Sequence, residues 1–155
     1  MQFRFLTLAC VVTLSSCTKP TRSDASRAPQ PRSREVVITT VPLLTKELAT
    51  TYPFLKTDFA KGGVLDGKEV YEFMPSTITV DEGDTLHLTF INPEDDPHSF
   101  VMTDLSVAIP GQSETRATYI ARRAGIFDFV CAIPAHMPMM RGQLVVLPRH
   151  DDATP

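Results

Sequence analysis

Within ten residues the chain places a thiol, an imidazole and a thioether. Cys131, His136 and Met140 are spaced C-x4-H-x3-M inside Cys-Ala-Ile-Pro-Ala-His-Met-Pro-Met-Met-Arg-Gly, residues 131–142. Soft sulfur with imidazole suits copper, whereas magnesium, calcium and manganese prefer oxygen. A trigonal copper site takes one more imidazole, and His98, in Asp96-Pro97-His98-Ser99-Phe100, is the candidate. His98, Cys131 and His136 then make the strong trigonal set, with Met140 as the weak axial ligand. Met137 and Met139 lie near, either as core packing or as extra soft sulfur for Cu(I).

The rest of the chain has to bring His98 to that loop, and from Val70 onward its apolar residues recur with period two. Ile78 and Val80 point one way, Thr77 and Thr79 the other. Leu86, Leu88 and Phe90 face a core, which leaves His87 outside as a surface histidine. His98, Phe100 and Met102 share one parity, so burying Phe100 turns His98 inward. Thr115, Ala117, Tyr119 and Ala121 alternate in a further strand. Phe127, Phe129 and Cys131 share a face, which carries the thiol into the core, and residues 144–147 close the sheet. Residues 92–97 form an acidic loop in which Glu94, Asp95 and Asp96 read as solvated. Upstream, the β-branched run 36–40 reads as a strand ended by Pro42. Residues 43–51 have helical composition, with Leu44 and Leu48 at i and i+4, and Pro53 stops them. Residues 54–63 are a loop or a second short helix. Segment 42–63 reads as an elaboration that packs on the sandwich, or as one that shapes a docking surface.

The residues around the ligands resemble a known family. Cys131-x-x-Pro134-x-His136-x-x-x-Met140-x-Gly142, leading into Leu144-Val145-Val146, resembles the ligand loop of the azurin and auracyanin type of cupredoxin. Phe73-x-Pro75-x-x-Ile78-x-Val80-x-x-Gly83-Asp84, then Phe90-x-Asn92 and His98-x-Phe100, resembles the strand pair and first-ligand loop of the same proteins. The resemblance covers residues 69–148. It implies an all-β fold, a cupredoxin-like Greek-key β-sandwich, here with a short helical elaboration near residues 43–60. It also implies one type 1 (blue) copper held by His98, Cys131, His136 and Met140. One departure falls on the hydrogen bond that ties the two ligand loops: Ser99 follows His98 where azurins carry Asn.

The ends of the chain carry a different message. Arg4 and the apolar run 5–14, too short to span a bilayer, read as an export signal over residues 1–16. Leu14-Ser15-Ser16-Cys17 resembles the bacterial lipobox, which implies cleavage before Cys17 and a lipid on it. The alternative is an ordinary signal peptide with Cys17 incidental. Residues 17–34 hold Pro20, Pro29 and Pro31 among Ser, Arg and Ala and read as a disordered tether. Residues 35–148 are the cupredoxin domain, and 149–155 a polar tail containing a free His150. The protein is thereby expected in the cell envelope, lipid-anchored through Cys17 and facing the periplasm or the exterior. Cys10 falls in the leader, which leaves Cys17 and Cys131 far apart and no structural disulfide. A free thiol in an oxidising compartment is a liability unless buried or metal-bound.

Charge narrows the partners. The chain has 15 basic and 18 acidic residues; 6 and 1 of them lie in residues 1–34, so the remainder carries a net −8. That excludes nucleic acid, whose phosphates would repel it, and suits electrostatic steering towards a basic protein. Ala132, Ile133, Pro134, Met137 and Pro138 around His136 are apolar; the resemblance implies that the edge of His136 reaches the surface within this patch, the expected docking face for redox partner proteins. No nucleophile–base pattern, phosphate loop or zinc-protease helix is present. Copper nitrite reductases and multicopper oxidases resemble the ligand loop but use several copper centres, and this chain has four histidines. The binuclear copper site of oxidase subunit II takes two cysteines from its loop, and here there is one. The expectation is therefore no enzyme but a one-electron carrier. The rival readings are an envelope copper delivery or storage protein and a metal-free scaffold module.

Overall fold

A computed structural model describes residues 30–149. The expected signal peptide, Cys17, most of the expected tether and His150 lie outside the described residues. Among the described residues nine strands and two short helices follow one another: β1 (Ser33–Leu44), α1 (Leu48–Thr51), α2 (Leu55–Phe59), β2 (Val70–Met74), β3 (Thr77–Asp81), β4 (Thr85–Asn92), β5 (His98–Met102), β6 (Leu105–Ile109), β7 (Ser113–Ile120), β8 (Gly125–Val130) and β9 (Arg141–Leu147). They form two sheets, ordered β2-β1-β4-β7 and β3-β9-β8-β5-β6. The chain crosses repeatedly between them, so the fold is an all-β sandwich. No helix among the described residues is long and apolar enough to cross a membrane.

Period-two burial runs through the strands as expected. Leu86, Leu88, Phe90 and Asn92 of β4 are buried, and His98, Phe100 and Met102 of β5 likewise. The centre is a quartet of phenylalanines, Phe73, Phe90, Phe100 and Phe129, all essentially sealed from solvent. Their rings stack 4.6–5.7 Å apart at tilted and edge-on angles. Burying each is worth about 1.5–3 kcal/mol, and the quartet is the floor on which the ligand loops rest. His87 lies on the opposite, outer face of β4, paired across the sheet with Glu35 and Thr118.

Two boundaries differ from expectation. β1 begins at Ser33 and runs through Pro42 to Leu44. The proline is tolerated because β4 pairs β1 only as far as Thr39; beyond it β2 alone remains, and such an edge position needs no second donor. The helix expected over 43–51 shrinks accordingly to the single turn α1, and 54–63 forms the second short helix α2 with turns. The disordered tether expected over 17–34 ends sooner for the same reason. The backbone N–H of Arg32 donates to Asp84 Oδ1 at 2.8 Å, and Arg34 Nε donates to Asp84 Oδ2 at 2.7 Å. Arg149, assigned to the polar tail, is held too: its Nη2 donates to Asp84 Oδ1 at 2.8 Å and its Nε to the Glu82 carbonyl at 2.7 Å. Both ends of the domain are thus fastened to one buried carboxylate at the start of β4.

The opposite end of β4 carries Asn92. Its Oδ1 accepts from Thr40 Oγ1 at 2.8 Å and from the Glu94 N–H at 3.2 Å. Its Nδ2 donates to the carbonyls of Asp96 (2.8 Å) and Pro110 (3.0 Å). A buried amide with all its groups bonded is a rigid joint. It fixes the loop that delivers His98 into β5.

Candidate metal centre

Three donors converge at the Asn92 end of the sandwich. His98 opens β5 and is turned inward by the parity of Phe100. Cys131 follows β8 directly, on the face of Phe129. His136 stands on the loop between β8 and β9, whose backbone closes on itself. The Cys131 N–H donates to the Met140 carbonyl at 2.9 Å, the His136 N–H to Ile133 at 2.9 Å, and the Met140 N–H to His136 at 3.0 Å. The ligating atoms of His98, Cys131 and His136 all lie within 4.8 Å of one another, and all three residues are buried.

His98 Nδ1 faces His136 Nδ1 at 3.2 Å, and His136 Nδ1 lies 3.6 Å from Cys131 Sγ. A metal ion about 2.0–2.3 Å from imidazole nitrogen and thiolate needs donor separations of about 3.5–3.8 Å in a trigonal plane, close to both values. Burial, and then the neighbouring His136, pushes His98 down to about 4 against the opposing pull of Asp96. Burial likewise pushes His136 down, against Asp96 and Glu69. Both rings are therefore neutral at pH 7 and present lone pairs, so the residues fit a soft metal ion.

Met140 is sealed from solvent and joined by its backbone to Cys131 and His136. Met137 and Met139 are exposed by 41% and 38%, which rules out core packing for them and leaves their thioethers at the surface. His136 is only 3% exposed, so its expected surface edge is a sliver behind Ala132, Pro134 and Pro138, which form the exposed rim.

Ser99 answers the departure seen in the sequence. Its Oγ accepts from the Ala132 N–H at 2.9 Å and lies 3.8 Å from Cys131 Sγ, towards which it donates. The bond between the ligand loops is thus made by a hydroxyl. Two groups escaped the sequence reading. Tyr71 of β2 is 2% exposed, and its ring lies 4.6 Å from that of His98 and 4.7 Å from that of His136. Asp96, expected to be solvated, accepts from the Tyr71 hydroxyl at 2.6 Å. The signal was present in the parity that Tyr71 shares with Phe73.

A family model for the cupredoxin-like domain matches residues 45–146 of the 155. The chain belongs to the cupredoxin-like family. No curated protein sequence matches it. Among solved structures this cupredoxin-like chain is similar to the multicopper oxidase mgLAC (17% identity, TM-score 0.53, 76% of this chain and 40% of that one). It is similar to a copper-containing nitrite reductase from Thermus scotoductus (18% identity, TM-score 0.52, 76% and 28%). A third is the blue copper protein auracyanin A from Chloroflexus aurantiacus (17% identity, TM-score 0.49, 74% and 99%). The chain thus spans well under half of the oxidase and of the reductase, and at these identities the likeness is one of fold.

Proposed function

We propose that this chain is a one-electron carrier built on a single type 1 copper, which His98, Cys131 and His136 would hold with Met140 as a further, weaker donor. The observation that carries the reading is the convergence of two neutral imidazoles and a thiol in a closed pocket on a rigid aromatic floor. When bound, copper supplies the exchange between Cu(I) and Cu(II), both of which a thiolate–imidazole set accommodates. The chain's own residues set the geometry. The sandwich places His98 and Cys131 at fixed strand ends, and Pro134 and Pro138 stiffen the His136 loop. Burial keeps water out. A site that cannot rearrange loses little energy to reorganisation as the electron moves. The rim of Ala132, Pro134, Met137 and Pro138 is the face through which a redox partner approaches His136. A lipid on Cys17 holds the carrier at the bacterial envelope.

The oxidase and the reductase named above raise the question of catalysis. Among the described residues, His98, Cys131 and His136 are the one converging group of metal-ligating side chains, and His87 faces away from it. That supports a carrier over a multi-centre enzyme. A second reading, copper delivery or storage, draws on the exposed thioethers of Met137 and Met139, soft groups that could receive Cu(I) at the surface.

Visible absorption and EPR after Cu(II) loading test both. The carrier reading expects an intense blue or green thiolate-to-copper band with narrow hyperfine splitting, abolished in Cys131→Ser. A colourless species with wide splitting would overturn it. Exchange of the copper with an external chelator within minutes would shift the assignment to delivery.

A further inference from the structure

The ring nitrogen of a metal-binding histidine that faces away from the metal ordinarily donates to a carboxylate, carbonyl or water, and that bond sets the orientation of the ring. His98 departs from this. Its Nδ1 faces His136, and its Nε2 is buried with no hydrogen-bond partner among the described residues. Its orientation has to come from something else, and the contact at hand is the ring of Tyr71. Tyr71 meets His98 at 4.6 Å with planes at 66°, and His136 at 4.7 Å with planes at 52°. Its hydroxyl is tied to Asp96 Oδ2 at 2.6 Å, two residues before His98. The same short stretch of chain also grips the other ligand loop: Lys68 Nζ donates to the Pro134 carbonyl at 2.7 Å and the Glu69 N–H to the Ala135 carbonyl at 3.0 Å.

We propose that Tyr71 is the positioning residue of the metal centre: one ring, locked by Asp96, braces both imidazoles in place of the hydrogen bond that His98 lacks. Residues 68–71 then form a strut joining the loop before His98 to the loop that carries His136. This gives a purpose to the elaboration preceding β2, which leads the chain across the sandwich end to the ligand loop. The inference rests on the metal-site reading above.

The experiment compares the full chain with Tyr71→Leu, Tyr71→Phe and Asp96→Ala, using two readouts. In the metal-free proteins, long-range proton–nitrogen NMR reports the two imidazoles. A single sharp set is expected for the wild type, broadened or multiple sets for Tyr71→Leu, and intermediate broadening for Tyr71→Phe and Asp96→Ala, each of which keeps the ring and removes its lock. In the Cu(II)-loaded proteins, Tyr71→Leu is expected to widen the hyperfine splitting and lower copper affinity by about 10–100-fold, the scale for losing a group that orients a ligand. Tyr71→Phe, which keeps the ring but not the hydroxyl tied to Asp96, should restore part of both and match Asp96→Ala. A Tyr71→Leu protein that folds with wild-type imidazole signals and splitting overturns the proposal. If Tyr71→Leu does not fold, Asp96→Ala decides, and unchanged imidazole signals there overturn the proposal equally. A wild type without a thiolate–copper spectrum overturns the metal reading and this proposal together, an outcome distinct from a normal wild type beside an indifferent variant.

Discussion

At the scale of single residues, the site is governed by groups that have no freedom left. Gly142 ends the ligand motif because a Cβ there would collide with the Ser76 carbonyl and the Phe129 ring. Gly142→Ala therefore forces Phe129 aside, on the strand face that carries Cys131. The expected loss is about 1–3 kcal/mol in a thermal or urea melt, with a displaced thiolate–copper band. His98 gives a pH dependence. Its folded value is about 4 against an ordinary 6.5, so between those values the unfolded chain binds the extra proton. Stability of the metal-free protein is then highest above about pH 6.5 and falls as the pH drops towards 4. Melts across that window in wild type and His98→Asn read it, because the variant should lose the share of the slope due to His98 and keep the share due to His136, which burial also pushes down. These residues divide by how legible they were. His98, Cys131, His136 and Met140 could be named because soft donors at set spacing have few other uses. Tyr71 could not: its parity with Phe73 turns it inward, but its role depends on which rings it meets across the sandwich. Ser99 was visible as a departure, but whether a hydroxyl could span the gap to Ala132 depended on a distance.

At the scale of elements, the strand periods of the sequence reappear as burial periods, and His98 enters the core for the reason its parity indicated. The elements that were misread share one cause. The β-propensity of residues 36–40 marks a strand, but its length is set by its neighbours. β1 gains β4 from Ser33 and keeps β2 to Leu44, so pairing carried it through a proline that reads as a stop. The 92–97 loop shows the same override, since its acidic composition suggested solvent while Asn92 and Asp96 are structural. Asn92→Ala would strip the partners from Thr40, Glu94, Asp96 and Pro110 at once. With an unsatisfied buried group costing about 1–3 kcal/mol, the variant should lose at least that much in a urea titration. It should also loosen His98, seen as faster hydrogen exchange in residues 92–98 and weaker copper retention.

At the scale of the whole molecule, the two ends of the sandwich have separate jobs. One holds the donors. The other holds Asp84, which is fully buried and gathers Arg32, Arg34 and Arg149, so that the entry and exit of the domain close on one carboxylate. Burial alone would raise Asp84. The Arg32 N–H, the Arg34 side chain and the Asp81 N–H outweigh it and hold the group at about 2 against an ordinary 3.8. A depressed carboxylate contributes stability that is complete above its unfolded value and disappears as the pH falls through its folded one. The loss from Asp84 therefore occupies pH 3.8 to 2, below the window in which His98 acts. Asp84→Asn leaves two guanidinium groups, that of Arg149 largely buried and that of Arg34 one-third exposed, facing a neutral amide, so stability falls. Its stability curve should be lower at neutral pH, keep the decline between 6.5 and 4, and be flatter below 3.8. The donors lie at the far end of β4, so the copper spectrum of the folded variant should match the wild type. A changed spectrum at full occupancy would mean that the two ends are coupled through the sheets, and the separation argued from their positions would be wrong.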